Sequence, residues 1–261
     1  MSTDGTNTDD VSAMEAEFDT VAGWTEAVVS TLGPEYAVPA ACRGSASPAA
    51  LTWLATACRL GPGTRLVDSG GGMGGPAAFA ELEYGAAVTV VEPMLEACRA
   101  AKRLFGLAVV AGTGEGLPLA TGAADAAWCL GVLCTTTGKR AVLDELRRVL
   151  RPGAPVGLLV YVAMSDEMPD SPEGNSFPTV DELAQLLDAG GFETVDQIAL
   201  DELPAAPRSW QERIDRVEQE ITRTHDGDPR LAQALDQEQR IAALLSEGHV
   251  AGRLLLARVP G

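Results

Sequence analysis

The residues with the clearest chemical use lie in DSGGGMGG (68–75), where an apolar run passes into a helical pattern. Glycines at such a point let the backbone turn sharply and let a ligand approach the amides at a helix amino terminus. Gly70, Gly72 and Gly75 have the G-x-G-x-x-G spacing of a nucleotide-binding turn, and Glu92 follows about twenty residues later, where an acid can accept ribose hydroxyls. The combination points to a nucleoside ligand. Acid–base candidates are fewer. Cys134 heads Cys134-Thr135-Thr136-Thr137 after a later apolar run, and none of these is a good base at neutral pH. His225 and His249 are the two histidines, and Tyr36 lies with Glu35 and Arg43 in a loop ahead of the glycine turn. Arg43 can pair with a ligand carboxylate. Candidates to touch a substrate are Trp210 and Asn175, the latter in SPEGNSFPT (171–179) with Phe177 and Pro178 beside it.

These residues need elements to carry them. Val11, Met14, Phe18, Val21 and Val28 recur at helical spacing and predict a helix over 11–32, stopped by Gly33-Pro34. A loop over 35–48 and a helix over 49–60 follow. Strands are then predicted at 65–68, 87–93, 107–112, 125–133 and 156–162, separated by helices at 76–83, 94–105 and 138–150. A helix at 179–189 and a strand near 193–200 continue the pattern. Such alternation implies a mostly parallel sheet covered on both faces. Residues 208–247 break the rhythm with two helical faces, the second starting after Asp228-Pro229, before a last strand at 252–259. This pair is either a lid over the sheet's carboxyl edge or packing on its flank. The reading is a disordered tail (1–10) and one domain (11–261), divided into a helical cap (11–60), a core (61–203), a helical insertion (204–248) and the last strand (249–261).

Of 261 residues, 19 are Lys or Arg and 37 Asp or Glu, for a net charge of -18. Without a basic face the chain is a poor partner for nucleic acid or anionic membranes. Five cysteines, an odd number with no C-x-x-C pair, read as buried reduced thiols, and no metal is expected. The polar start MSTDGTNTDD has no secretory pattern, so a cytoplasmic monomer or homodimer is expected.

Asp68 precedes the glycines to give Asp-x-Gly-x-Gly-x-Gly, and VVEPM (90–94), GTGEGLPL (112–119), DAAWCLGVL (125–133), ELRRVLRPGA (145–154) and VDELAQLLDAGGF (180–192) follow in order. This series, over roughly residues 60–200, resembles the class I S-adenosylmethionine-dependent methyltransferases, especially those acting on small molecules. The resemblance implies an α/β, Rossmann-like, doubly wound, mostly parallel seven-stranded sheet with an antiparallel last strand, plus a helical cap and an inserted helical pair. It implies S-adenosylmethionine as cofactor and S-adenosylhomocysteine as product. Asp68, Gly70, Gly71, Gly72 and Gly74 would hold the methionine part, Glu92 both ribose hydroxyls, and Pro93 and Met94 the adenine, with Leu130 bordering the site. Thr113 stands where the family often has aspartate, so Thr113, Gly114 or Glu115 would meet the adenine edge.

The function so implied is methyl transfer to an O, N or C nucleophile of a small-molecule acceptor, achieved largely by alignment. The alternatives are a protein of this fold with a non-methylating activity, a nicotinamide-dependent oxidoreductase resting on Gly70-x-Gly72-x-x-Gly75, and a binding protein that has lost its ligand. Fold analogy alone does not choose the reaction.

Overall fold

The apolar runs become seven strands of one sheet: β1 (Arg65–Ser69), β2 (Ala87–Glu92), β3 (Ala108–Ala111), β4 (Ala126–Leu130), β5 (Pro155–Ala163), β6 (Glu193–Ala199) and β7 (Val250–Arg258). The computed structural model describes residues 6–42, 46–165 and 168–260, with side chains from Met14 onward. Strand order is β3-β2-β1-β4-β5-β7-β6. Strands β1 to β5 pair in parallel, and β7 runs antiparallel to both β5 and β6. The doubly wound sheet with a reversed last strand is as expected.

Every residue of β4 is buried. Ala126, Trp128 and Leu130 face one helical layer, Ala127 and Cys129 the other, which is why the run shows no polar alternation. The first layer holds α3 (Pro48–Ala57), α4 (Gly75–Tyr84) and α5 (Leu95–Phe105); the second holds α6 (Lys139–Val149) and α7 (Val180–Ala189). Val142, Leu143, Leu146 and Val149 recur at three- and four-residue steps and so place one stripe of α6 against the sheet.

A third core joins α1 (Thr6–Leu32), α2 (Ala37–Ala41), α8 (Arg208–Thr224) and α9 (Pro229–Ser246) through Val29, Ala37, Ala40, Val217, Ile221 and Leu231. Two expectations need correction here. The backbone of residues 6–10, read as disordered tail, forms the first turns of α1. The loop expected over 35–48 contains a 3-10 turn (Pro34–Tyr36) and α2. Pro39 sits in the first turn of α2, where its missing N–H costs nothing.

This helical layer is tied down at both ends. Asp19 of α1 accepts from the Glu96 and Ala97 amides at 2.6 and 3.3 Å, capping α5 where it leaves β2. Gln237 of α9 accepts from the Glu173 amide at 3.0 Å, and Arg240 pairs with Asp170 at 3.4 Å, both in the segment that leaves β5. All these attachments are to segments emerging from carboxyl ends of strands. The inserted pair is thus anchored through α9 to the segment that leaves the carboxyl end of β5. Among the described residues no helix is long and apolar enough to cross a membrane, and no cluster of His, Cys, Asp and Glu is arranged to hold a metal.

Candidate active site

Chain direction across the sheet reverses between β1 and β4, and a crevice opens beyond their carboxyl ends, the usual ligand position in doubly wound folds. The turn after β1 forms its floor. Gly70 donates to the Val91 carbonyl at 2.8 Å, and Gly74 to that of Gly71 at 2.9 Å. Two glycines show two different needs. A Cβ on Gly75 would lie 2.5 Å from the Ala41 carbonyl carbon, so this glycine lets α4 pack against the end of α2. Gly72, with φ of +54°, has nothing within 4 Å of such a Cβ, so it faces the open crevice.

Asp68 and Ser69 lie directly beneath the turn, 1% and 0% exposed. Neither carboxylate oxygen of Asp68 nor the Ser69 hydroxyl has a hydrogen-bond partner. Burial first, and the charge of Glu92 second, push the Asp68 carboxyl up to about 7. A buried acceptor pair of this kind is costly unless a donor or cation meets it. Glu92 ends β2 and is also buried. Its two oxygens accept from the Gly72 amide at 2.8 Å and the Met94 amide at 3.0 Å. Burial raises its pKa, the two amides lower it, and the charges of Glu15 and Asp19 raise it. Each oxygen keeps a lone pair, so the carboxylate can fasten the turn and still accept two hydroxyls.

The remaining cofactor candidates border the same crevice. Pro93 and Met94 follow Glu92, and Gly112 donates to the Glu92 carbonyl at 3.2 Å, bringing the β3 loop alongside. Thr113 is exposed there, its carbonyl closing a turn with the Gly116 amide. A Cβ on Gly114 would lie 3.3 Å from Ser69 Oγ, which sets how closely the two loops approach. Glu115 is engaged elsewhere: its carboxylate accepts from the Thr136 hydroxyl at 2.7 Å and ties the β3 loop to the β4 loop. Leu130 closes β4, 7% exposed.

The catalytic and substrate candidates scatter. Burial pushes the Cys134 thiol up to about 11, and its Sγ donates to the Gly131 carbonyl at 3.0 Å, so it is packed and protonated rather than a base. Tyr36 and Trp24 belong to the rim of the third core. His225 stacks on Trp24 with ring centroids 4.0 Å apart, as a helix-end packing residue. Trp210 packs on the core of α3 and α4. Arg43 lies outside the described residues. Asn175 and His249 do reach the carboxyl edge, after β5 and before β7. Residues that the sequence did not single out are Ser69, Asp19, and Ser165, which lies 3.2 Å from His249 Nδ1. Ser69 had a signal in its place beside Asp68; Asp19 meets α5 across 77 residues and had none.

Comparison with known proteins agrees with this arrangement. Residues 67–157 match the methyltransferase domain family. A 24-methylenesterol C-methyltransferase 2 of Oryza sativa subsp. japonica is 30% identical over 173 residues, covering 59% of this chain. The match spans 47% of that relative, about half its length. Among solved structures, the [4+2]-cyclase SpnF superposes with a TM-score of 0.64 at 23% identity, covering 80% of this chain and 79% of its own. A sarcosine dimethylglycine methyltransferase structure from Galdieria sulphuraria gives 0.63 at 16% identity, over 80% and 85% of the two chains. The matched stretch 67–157, about a third of the chain, carries the turn, Asp68 and Glu92 that line the crevice, and it is in this stretch that the chain is similar to the methyltransferase domain.

Proposed function

We propose that the protein binds S-adenosylmethionine over the Gly70–Gly74 turn and directs its methyl group to an O, N or C nucleophile of a small-molecule acceptor, leaving S-adenosylhomocysteine. The observation that carries this reading is the unpartnered Asp68 carboxylate, with Ser69 Oγ beside it, under a turn whose Gly72 faces open space. A ligand with an ammonium group supplies the charge that Asp68 lacks. Asp68 and the turn would hold the methionine part, Glu92 the ribose hydroxyls, and Pro93 and Met94 the adenine. The Thr113–Gly114 backbone suits the adenine edge better than Glu115, which is committed to Thr136.

When bound, the cofactor supplies a methyl group activated by its sulfonium. The chain's part is to orient the acceptor and exclude water, and alignment alone is worth about 7–11 kcal/mol. No base in the β4 loop is then required, in keeping with the protonated Cys134. The small-molecule class draws support from the sterol named for the plant relative. The acidic chain fits a cytoplasmic monomer or homodimer that engages neither nucleic acid nor membrane.

Titration calorimetry with S-adenosylmethionine and S-adenosylhomocysteine tests the cofactor half, and transfer of a methyl label into a small-molecule extract tests the reaction. Absence of heat with both ligands sinks the reading. Binding without transfer favours a second one, a non-methylating reaction in the same fold, which the lack of a base in the β4 loop also suits.

A further inference from the structure

We propose that Tyr161 seats the methyl acceptor: its phenol donates a hydrogen bond to a neutral, carbonyl-type oxygen of a small molecule lying across the end of β4. This rests on the methyltransferase reading, since it names the group that holds the acceptor. Strand register puts Tyr161 at the height of the crevice. Leu130, which closes β4, pairs with Leu159 of β5, and Tyr161 follows two residues later. At about 3.3 Å per residue it stands about 7 Å beyond the end of β4. Only β4 separates β5 from β1. Tyr161 is therefore about 10 Å sideways from the glycine turn, a span that a small molecule bridges.

The face on which it stands is open. Leu159 packs with Trp128 and Leu130, and alternation places Tyr161 on that same face. Leu158, Leu159, Val160 and Val162 are fully buried, whereas Tyr161 is partly exposed, so β5 opens to one side only. Gly131, the residue after β4, donates its amide to the Leu159 carbonyl at 2.9 Å and so lies against β5. With φ of +79°, it has nothing within 4 Å of where a Cβ would be. Open space thus lies over Gly72 on the cofactor turn and over Gly131 beside Tyr161. Cys134 fixes the second of these places: its Sγ donates to the Gly131 carbonyl at 3.0 Å and accepts from the Tyr161 amide.

Packing holds the ring and leaves the phenol unused. Gly252 lies opposite Tyr161 on β7, and a Cβ there would be 3.2 Å from Tyr161 Cε1 and 2.4 Å from Leu200 Cδ1. The glycine makes room for the ring, and Leu200 closes over the same position. No hydrogen bond holds the Tyr161 hydroxyl among the described residues. Burial first, and Cys134 second, push the phenol up to about 12, so it stays protonated and offers a donor rather than a base. The same desolvation penalises an anion placed beside it, so a neutral oxygen suits the phenol better than a carboxylate. Leu200, Leu203 and Trp210 belong to the apolar group on this face and give surface for the rest of the acceptor.

The chain has three tyrosines, so NMR of ring-labelled tyrosine resolves the site without crowding, and Tyr161→Phe identifies its signal. Tyr84, tilted on Phe79, serves as the internal control. The full chain saturated with S-adenosylhomocysteine is titrated with acetophenone, ethylbenzene and benzoate. Acetophenone should move the Tyr161 signal and leave that of Tyr84 in place, and benzoate should bind more weakly. Tyr161→Phe keeps a ring over Gly252. It should weaken acetophenone by about threefold to tenfold, the worth of one neutral hydrogen bond, and change ethylbenzene by less than about twofold. An equal effect on both probes assigns the ring and not the phenol, and overturns the proposal. A silent Tyr161 up to the solubility of acetophenone, or benzoate bound as tightly, overturns it too. If S-adenosylhomocysteine binds and Tyr161 stays silent, the acceptor seat falls alone; if the cofactor product gives no heat, the methyltransferase reading falls and takes the seat with it.

Discussion

Replacing Asp68 by Asn tests the buried charge on which the cofactor assignment rests. In the cofactor-free protein this carboxyl is pushed from an ordinary 3.8 to about 7, mainly by burial and secondarily by Glu92. Because it titrates higher folded than unfolded, the folded state holds the proton between those two values. Stability therefore falls as pH rises through that window, by about 1.4 kcal/mol per pH unit, and the full cost of roughly 4 kcal/mol stands above it. Asn carries no such slope. At pH 8 Asp68→Asn should melt higher than the parent, and the gap should close on acidification toward pH 4, by a few degrees per pH unit. Cofactor binding should show the reverse preference. An ammonium placed against Asp68 lowers its pKa, so near pH 6, where an α-amino group that ordinarily titrates at about 7.7–8.0 is already charged, the parent should release about one proton per site. Calorimetry in buffers of different ionisation enthalpy counts that proton, and in Asp68→Asn it should vanish while affinity falls. Parallel melting curves for the two proteins across pH 4–8, or identical proton release, would refute the argument that Asp68 is an unpartnered charge awaiting a cation.

Gly72→Ala and Gly75→Ala should separate binding from folding. The first adds a Cβ to open space at φ +54°, costing about 1–2 kcal/mol in strain while obstructing the crevice, so calorimetry should lose the cofactor from a folded chain. The second drives a Cβ to 2.5 Å from the Ala41 carbonyl carbon and should lower the melting temperature with or without ligand. Glu92→Gln keeps the shape but gives up charge-assisted bonds worth about 1.5–3 kcal/mol each, so the dissociation constant should rise by at least about tenfold; an unchanged value would remove Glu92 from the ribose site. Asp19→Ala takes the cap from α5 and should cost about 1 kcal/mol in denaturant unfolding, with faster amide exchange at Glu96 and Ala97.

The crevice was legible because its parts are consecutive. Asp68 to Gly75 is a single turn, and Glu92 ends the strand that pairs with β1, so local spacing carried the three-dimensional arrangement. The cap and insertion were legible as helices but not as neighbours. Asp19 finds α5 across 77 residues and Ser165 finds His249 across 84, and no periodicity encodes such pairs. Pro39 disguised α2 as loop, because proline reads as a breaker unless its place in the first turn is known. Cys134 and His225 are chemically versatile residue types, and both were used for packing. Burial and neighbouring contacts decide that, and composition does not.

The division between legible and hidden follows the site's two halves. The family match covers residues 67–157 and ends inside β5, so it contains the turn, Glu92 and the β4 loop. It excludes α1, the segment after β5, α8, α9 and His249, which surround the other half of the same edge. A turn of consecutive residues carries its own spacing in the sequence, whereas a surface assembled from distant segments leaves no local pattern to read. Both halves are nonetheless bound to each other: Asp19 fixes α1 to the helix that follows Glu92, Gln237 and Arg240 fix α9 to the segment that leaves β5, and α1 packs with α8 and α9 between them. A change in the insertion can thus reach the turn and Glu92 through α1, so in Gln237→Ala or Arg240→Ala the affinity for S-adenosylhomocysteine measured by calorimetry should fall although neither residue borders the crevice.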